Sequence, residues 1–211
     1  LCLGVFVVIP VAVYVAAYVP QMLVTHRRLA AVVDNQISMW NYHTQLKATH
    51  PYSSPWYEWP LMMRPVWYYS GADRVPPDQV SSIEALGNPV VWWLGLAALI
   101  YLIVRLWSRR RDPAAWFIVL AALAQYLPWA VIPRKLVFLY HFFMTVPFLA
   151  LALVAALKDW SRRLGGRTWP AWAAAGAAAA LFAVYFPILG GTPFPRWWAD
   201  GLRALGIPVY F

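Results

Sequence analysis

His50 to Tyr69 reads HPYSSPWYEWPLMMRPVWYY, and this stretch decides what kind of fold the chain can have. Pro51, Pro55 and Pro60 remove backbone donors and fix φ, so no long regular helix is expected before Leu61. Trp56, Trp59 and Trp67, with Tyr52, Tyr57, Tyr68 and Tyr69, each carry an apolar ring with a polar handle. Such side chains are enriched where hydrocarbon meets water. The stretch therefore reads as a shaped loop resting on a membrane surface, between an apolar run that ends near Val24 and another that begins near Pro89.

Working outward, 62% of the 211 residues are hydrophobic and 12% are charged, against about 25% charged in an ordinary soluble domain. The expected class is an all-α, multi-pass integral membrane protein of the cell membrane. Five segments reach the roughly 20 apolar residues that a bilayer crossing needs: Leu1 to about Val24, kinked by Pro10 and Pro20; about Asn88 to Trp107; Asp112 to Pro133; Leu136 to Leu157; and Trp169 to Leu189. Asn88-Pro89 and Asp112-Pro113 each pair an N-cap with a proline in the first turn. Three regions follow: a first helix over 1–24, a loop over 25–87 and four helices over 88–211. Leu1 already stands inside an apolar run, with no charged leader before it, so the chain is expected to be the C-terminal portion of a longer protein.

The net charge of +9 comes from basic residues in short connections, a membrane-topology pattern rather than a nucleic-acid footprint. Arg109, Arg110 and Arg111 follow the second helix; Lys158, Arg162, Arg163 and Arg167 follow the fourth. The positive-inside rule puts both connections in the cytoplasm. The long loop, the Pro133–Lys135 turn and the C-terminus then face outward together. Within the loop, Leu29, Val32, Val33, Ile37 and Trp40 recur at helical spacing, which predicts an amphipathic helix lying on the outer leaflet. Ala173, Gly176, Ala177 and Ala180 give the last helix a small-residue face.

Chemistry concentrates at QYLPW (125–129), IPRK (132–135) and YHFF (140–143). Arg134 and His141 are seven apart, two turns of one helix, which would put His141 about 10 Å deeper than Arg134. An ionisable group at that depth is by default a functional candidate. A planar guanidinium at the rim suits a lipid-linked phosphate. The plainer alternatives are a head-group anchor for Arg134 and Lys135, and an interhelical hydrogen bond for His141. The single cysteine, Cys2, excludes an internal disulfide and a cysteine zinc cluster. His43 and His50 are separated by too broken a helix for a zinc site. Neither a phosphate-binding glycine loop nor a nucleophile elbow occurs, so no metal and no prosthetic group are expected.

Taken together, HPYSSPWYEWPLMMRPVWYY, NPVVWW, QYLPW, IPR and YHFF resemble the C-terminal membrane part of bacterial protein O-mannosyltransferases, which are phospholipid-carrier-dependent C-type glycosyltransferases. The likeness covers about Ile37 to Phe148. It implies that the five spans are the last five helices of that fold. It also implies a polyprenyl-phosphate mannose donor, an exported polypeptide acceptor modified on serine or threonine, and surrounding membrane lipid as partners. The family's acidic catalytic residues lie in a first outer loop that this sequence does not contain, so no catalytic residue is assigned and the fragment alone is expected to be inactive. Sugar transfer from a lipid phosphate needs positive or hydrogen-bonding groups around the departing phosphate. Arg134, His141 and Arg64 are the candidates. For sugar or acceptor contact the candidates are His50, Tyr52, Ser53, Trp56, Glu58, Trp59 and Tyr140, with Glu58 alternatively pairing with Arg64 and the tryptophans alternatively anchoring at the interface. A lipid or cell-wall glycan acceptor, and a transporter or non-catalytic scaffold, stay open as other readings.

Overall fold

The computed structural model describes residues 2–26, 29–108, 110–207 and 209–210; Leu1, Arg109 and Phe211, on which some expectations fall, lie outside the described residues. The chain divides into two bodies, Leu1–Ala48 with Pro133–Lys135, and Thr49–Ile132 with Leu136–Phe211.

In the first body a π-helical turn, Gly4–Val8, leads into α1 (Ile9–Ala16) and then α2 (Val19–Thr25). The break at Ala17 and Tyr18 falls just before Pro20. Proline has no N–H for the Ala16 carbonyl, so the expected kink follows from its chemistry. Gly4–Thr25 as a whole is long and apolar enough to cross a membrane. The helix read from the Leu29 to Trp40 spacing forms as α3 (Ala30–Gln45), with Val32 buried and Val33, Ile37 and Trp40 exposed.

The second body holds four long helices. Asn88 accepts the Val90 N–H at 3.1 Å and starts a π-helical turn, Val90–Leu94, that continues as α4 (Gly95–Ser108). Asp112 accepts the Ala115 N–H at 2.9 Å and caps α5 (Pro113–Tyr126), which tightens into a 3₁₀ turn at Leu127–Ala130. After them come α6 (Val146–Arg163) and α7 (Trp169–Gly190). α6 packs on α4, α5 and α7. At Gly95 a Cβ would stand 2.7 Å from Leu149 Cβ, so this glycine sets how closely α4 and α6 approach. Trp59, Trp92, Leu102, Leu139, Phe142 and Leu149 form the buried centre. The outward faces carry Ile100, Phe117 and Trp172 at 62%, 61% and 75% exposure. An apolar exterior around a packed interior is what a bilayer solvent requires.

Val90–Ser108, Pro113–Ala130 and Trp169–Gly190 are also long and apolar enough to span. α6 is as long but carries Lys158, Asp159, Arg162 and Arg163 in its last two turns. Its start corrects the sequence expectation by ten residues. Leu136 to Phe138 is not helical, Leu139–Met144 is a 3₁₀ helix, and the α-helix begins only where Pro147 occupies the first turn. The reason is an outside claim on the backbone: the Val137 carbonyl accepts both the Ser54 N–H and the Ser53 hydroxyl, each at 3.0 Å.

Four short strands were not anticipated. β1 (Val66–Ser70) pairs antiparallel with β3 (Ser82–Ala85), its register slipping between Trp67 and Tyr69; β2 (Gln79–Val80) pairs antiparallel with β4 (Phe194–Pro195). β4 leads into α8 (Arg196–Ala204). Through β4, and through the Arg196 N–H donated to Asp78 O at 2.8 Å, the C-terminal segment joins the loop on one side of the second body.

Candidate functional site

The aromatic stretch does not lie loose on a surface. Pro55 sits in the extended region and Trp56–Leu61 winds into a 3₁₀ helix that ends at Met62, whose φ of 56° reverses the chain. This short helix packs on the Leu139–Met144 turn. Ser53 and Ser54 bond to Val137 as above, the His50 ring meets Phe138 at 5.2 Å, and Tyr126 donates its hydroxyl to Trp56 O at 3.1 Å. Contacts between residues seventy or more apart in sequence thereby stitch two stretches into one site.

His141 lies at its centre. Its ring is 4.3 Å from Trp129, 4.6 Å from Tyr140 and 5.7 Å from Trp59, stacking on the last two. Nδ1 lies 3.1 Å from the Phe138 amide and 2.9 Å from the Phe138 carbonyl. A neutral ring can accept from the first and a protonated ring can donate to the second, so the imidazole stays oriented in either state. Tyr140 stacks on Phe138 at 5.2 Å and faces Tyr68 at 6.3 Å.

The remaining candidates separate. Arg64 Nε lies 3.3 Å from the Glu58 carboxylate, and Arg64 also donates to Ser53 O at 3.1 Å, so Glu58 and Arg64 pair with each other. Tyr52 packs edge-on against Trp67 and Tyr210. Trp56 is half-buried against Tyr126. Trp59 is a correction. It has no exposed surface, and its indole N–H is held by Ser54 O and Oγ at 3.0 and 3.1 Å, so it is a core residue rather than a sugar platform or an interface anchor. Arg134 and His141 are a second correction. The chain leaves helical geometry from 131 and Phe138 is extended, at φ −142° and ψ 158°, so no common helical face carries both. Arg134 belongs to the Pro133–Lys135 segment of the first body and is half-buried.

Glu84 is not among the candidates read from the sequence. It is 2% exposed, and its Oε1 accepts the Tyr210 N–H at 2.6 Å and the Ser82 hydroxyl at 3.4 Å. Oε2 has no hydrogen-bond partner among the described residues. Burial pushes the carboxyl up to about 7, against the opposing pull of the Tyr210 N–H, Ser82 and Arg203. Tyr52, Trp67 and Tyr210 surround this join, and Trp67 donates to Ser82 Oγ at 3.0 Å. The signal available in sequence was the alternation in Ser82-Ile83-Glu84-Ala85, which puts Ser82 and Glu84 on one face of a strand. Among the described residues no group of three His, Cys, Asp or Glu side chains is placed to hold a metal ion.

Comparison with known proteins gives this site a context. Residues 28–200 match the model of the C-terminal four TMM region of protein-O-mannosyltransferase. A polyprenol-phosphate-mannose--protein mannosyltransferase of Mycobacterium tuberculosis is 31% identical over 180 residues, covering 72% of this chain and 34% of the relative. The protein of the same description from Mycolicibacterium smegmatis is 29% identical over 186 residues, covering 74% and 35%. The chain thus spans about a third of the length of the curated relatives it matches. The Saccharomyces cerevisiae protein O-mannosyltransferase Pmt1-Pmt2 complex bound to the sugar donor superposes with a TM-score of 0.67 at 20% identity, over 85% of this chain and 26% of that one, which establishes a common fold. With 28–200 matched and α4 to α7 all inside that range, the chain belongs to the protein O-mannosyltransferase family and carries its C-terminal membrane region.

Proposed function

We propose that this chain is the C-terminal part of a membrane mannosyltransferase that moves mannose from a polyprenyl-phosphate carrier to serine or threonine of exported polypeptides. The acid that activates the acceptor hydroxyl belongs, in this reading, to a region of the enzyme outside this sequence. The C-terminal part holds the departing lipid phosphate and frames the acceptor on the extracytoplasmic side. The observation that carries the reading is the stitched site, where His141 is fixed at Nδ1 and flanked by Trp129 and Tyr140. An imidazole oriented in both protonation states is preorganised to stabilise developing negative charge, the kind of term that dominates catalysis at a leaving group. Arg134, on the Pro133–Lys135 segment of the first body, is a separate candidate for phosphate contact. Arg64 already serves Glu58 and Ser53 and so plays the smaller part. His50, Tyr52, Ser53, Trp56 and Tyr140 frame the sugar and acceptor.

In the full-length enzyme, Arg134→Ala and His141→Ala each lower transfer from labelled polyprenyl-phosphate mannose by roughly 10²-fold, the cost of removing one preorganised charge-stabilising group. Membrane insertion is expected to be unchanged. Transfer at the unsubstituted rate in both variants would remove the phosphate role, and transfer to a glycolipid but not to a polypeptide would move the acceptor to another class.

A further inference from the structure

Away from the stitched site, α6, α7 and the π-helical turn that precedes α4 enclose an open groove of about 570 Å³. One wall is Ala150, Leu153, Val154 and Leu157, a ridge at helical spacing along α6. The opposite wall is Ala171, Ala174, Ala175 and Ala178 of α7. Alanines there leave room that larger side chains would fill, and Val154 is 62% exposed, so the groove opens sideways toward the bilayer. At one end the apolar lining gives way to Lys158, Ser161, Arg162 and Thr168. Lys158 and Arg162 are one turn apart and both exposed. The nearby carboxylate, Asp159, is bound by Arg105 and the Tyr101 hydroxyl, and meets Arg162 only at 3.6 Å. That end is therefore net positive and rich in donors.

We propose that this groove binds an anionic glycerophospholipid, one acyl chain between α6 and α7 and its phosphate at Lys158, Arg162, Ser161 and Thr168. The dimensions fit one leaflet. From Ala150 to Ser161 the α6 wall rises about 16 Å at about 1.5 Å per residue, close to half of a roughly 30 Å hydrocarbon core. Basic pockets between membrane helices are a recurrent way of holding phospholipid head groups on the cytoplasmic side, and the basic connections assign this end to that side. The carrier phosphate of the proposed reaction would sit at the opposite end of the helices, so the lipid site stands whether or not the chain transfers mannose.

The test uses the intact protein in nanodiscs of phosphatidylglycerol mixed with phosphatidylcholine, with retained lipid counted by native mass spectrometry and affinity obtained by titrating phosphatidylglycerol. Phosphatidylglycerol is expected to be retained in preference to phosphatidylcholine. The pair Lys158→Gln and Arg162→Gln, both exposed and with Arg162 meeting Asp159 only at 3.6 Å, weakens it about 25-fold, from about 5-fold per cation. Ala174→Leu with Ala178→Leu fills the chain site and abolishes retention with the cations intact; if that variant fails to insert, the charge pair alone decides. Equal retention of phosphatidylcholine, or unchanged affinity in the charge pair, overturns the proposal. So does a disulfide from Ala175→Cys to a cysteine on a helix of the same protein other than α4, α6 and α7, which would put a helix where the lipid belongs.

Discussion

Different chemistry holds the two ends of the α4–α6 pair together. At one end Arg105 pairs with both Asp112 and Asp159, its side chain 13% exposed, while Tyr101 also bonds Asp159. At the other, Trp59 and Trp92 fill the space beside Phe142, and their indole N–H groups are satisfied by Ser54 and Pro60 carbonyls. The contrast matters for function. At the charged end every carboxylate near Arg105 is committed to an ion pair or a helix cap, which leaves little polar capacity for a substrate. At the aromatic end the polar groups include backbone carbonyls, the hydroxyls of Ser53, Ser54 and Tyr126 and an oriented imidazole, and the rings supply shape without consuming charge. On the proposed reading, chemistry falls at the second end and rigidity at the first.

The largest expected effect tests whether the aromatic end is core or platform. Trp59→Ala removes a side chain with no exposed surface, and should cost about 3–5 kcal/mol of stability, as for other buried aromatic truncations. Thermal unfolding in detergent micelles measures it; a variant that melts normally but has lost only transfer would restore Trp59 as a substrate contact. Next in size, Arg105→Ala leaves two carboxylates without their cation and is expected to cost about 3 kcal/mol, the lower end of the range for breaking a buried pair, because Asp112 is 27% exposed and reachable by water. Combining Arg105→Met with Asp159→Leu should recover most of that loss, since buried pairs are often matched by apolar residues of similar volume. Failure of the double variant to recover would mean that the ion pair fixes how α4 and α6 register.

A third effect depends on pH and concerns the join between β3 and the C-terminus. The Glu84 carboxyl is raised to about 7 in the folded protein, its ordinary value being 4.5. Below about 4.5 both states carry the proton. Between about 4.5 and 7 the unfolded chain loses it while the folded chain keeps it, so stability falls as pH rises through that window and then levels. A tenfold difference in proton affinity between the two states corresponds to about 1.4 kcal/mol, so the total is on the order of 3 kcal/mol. Glu84→Gln, which keeps an acceptor for the Tyr210 N–H, should flatten this part of the melting-temperature profile relative to the unsubstituted protein. Parallel profiles for the two would place no titrating group at this join.

Much of the helical body was legible because membrane helices announce themselves: Asn88-Pro89 and Asp112-Pro113 open helices as their chemistry requires, and the Leu29 to Trp40 spacing produced α3. What sequence could not give is where backbone groups find distant partners. Val137 reads as helical until its carbonyl is claimed by Ser53 and Ser54, and that claim moved the start of α6 and removed the shared face of Arg134 and His141. Trp59 and Trp56 are chemically alike and three apart, yet one is core and the other half-buried beside Tyr126. Burial of Glu84 depends on Tyr210, 126 residues away.

The smallest expected effect isolates the stitch itself. Ser53 donates its hydroxyl to Val137 O at 3.0 Å, but that carbonyl also accepts the Ser54 N–H, so Ser53→Ala leaves no buried acceptor unpaired. The cost should therefore stay near 0.5–1 kcal/mol, the net value of one hydrogen bond. Ser53 is also a candidate for contact with sugar or acceptor, and the two roles separate in one variant of the full-length enzyme. If Ser53 only stitches, melting falls slightly and transfer follows it. A transfer rate down tenfold or more with the same small change in melting assigns the hydroxyl to the substrate as well, since an oxygen that donates to Val137 still has lone pairs to accept with.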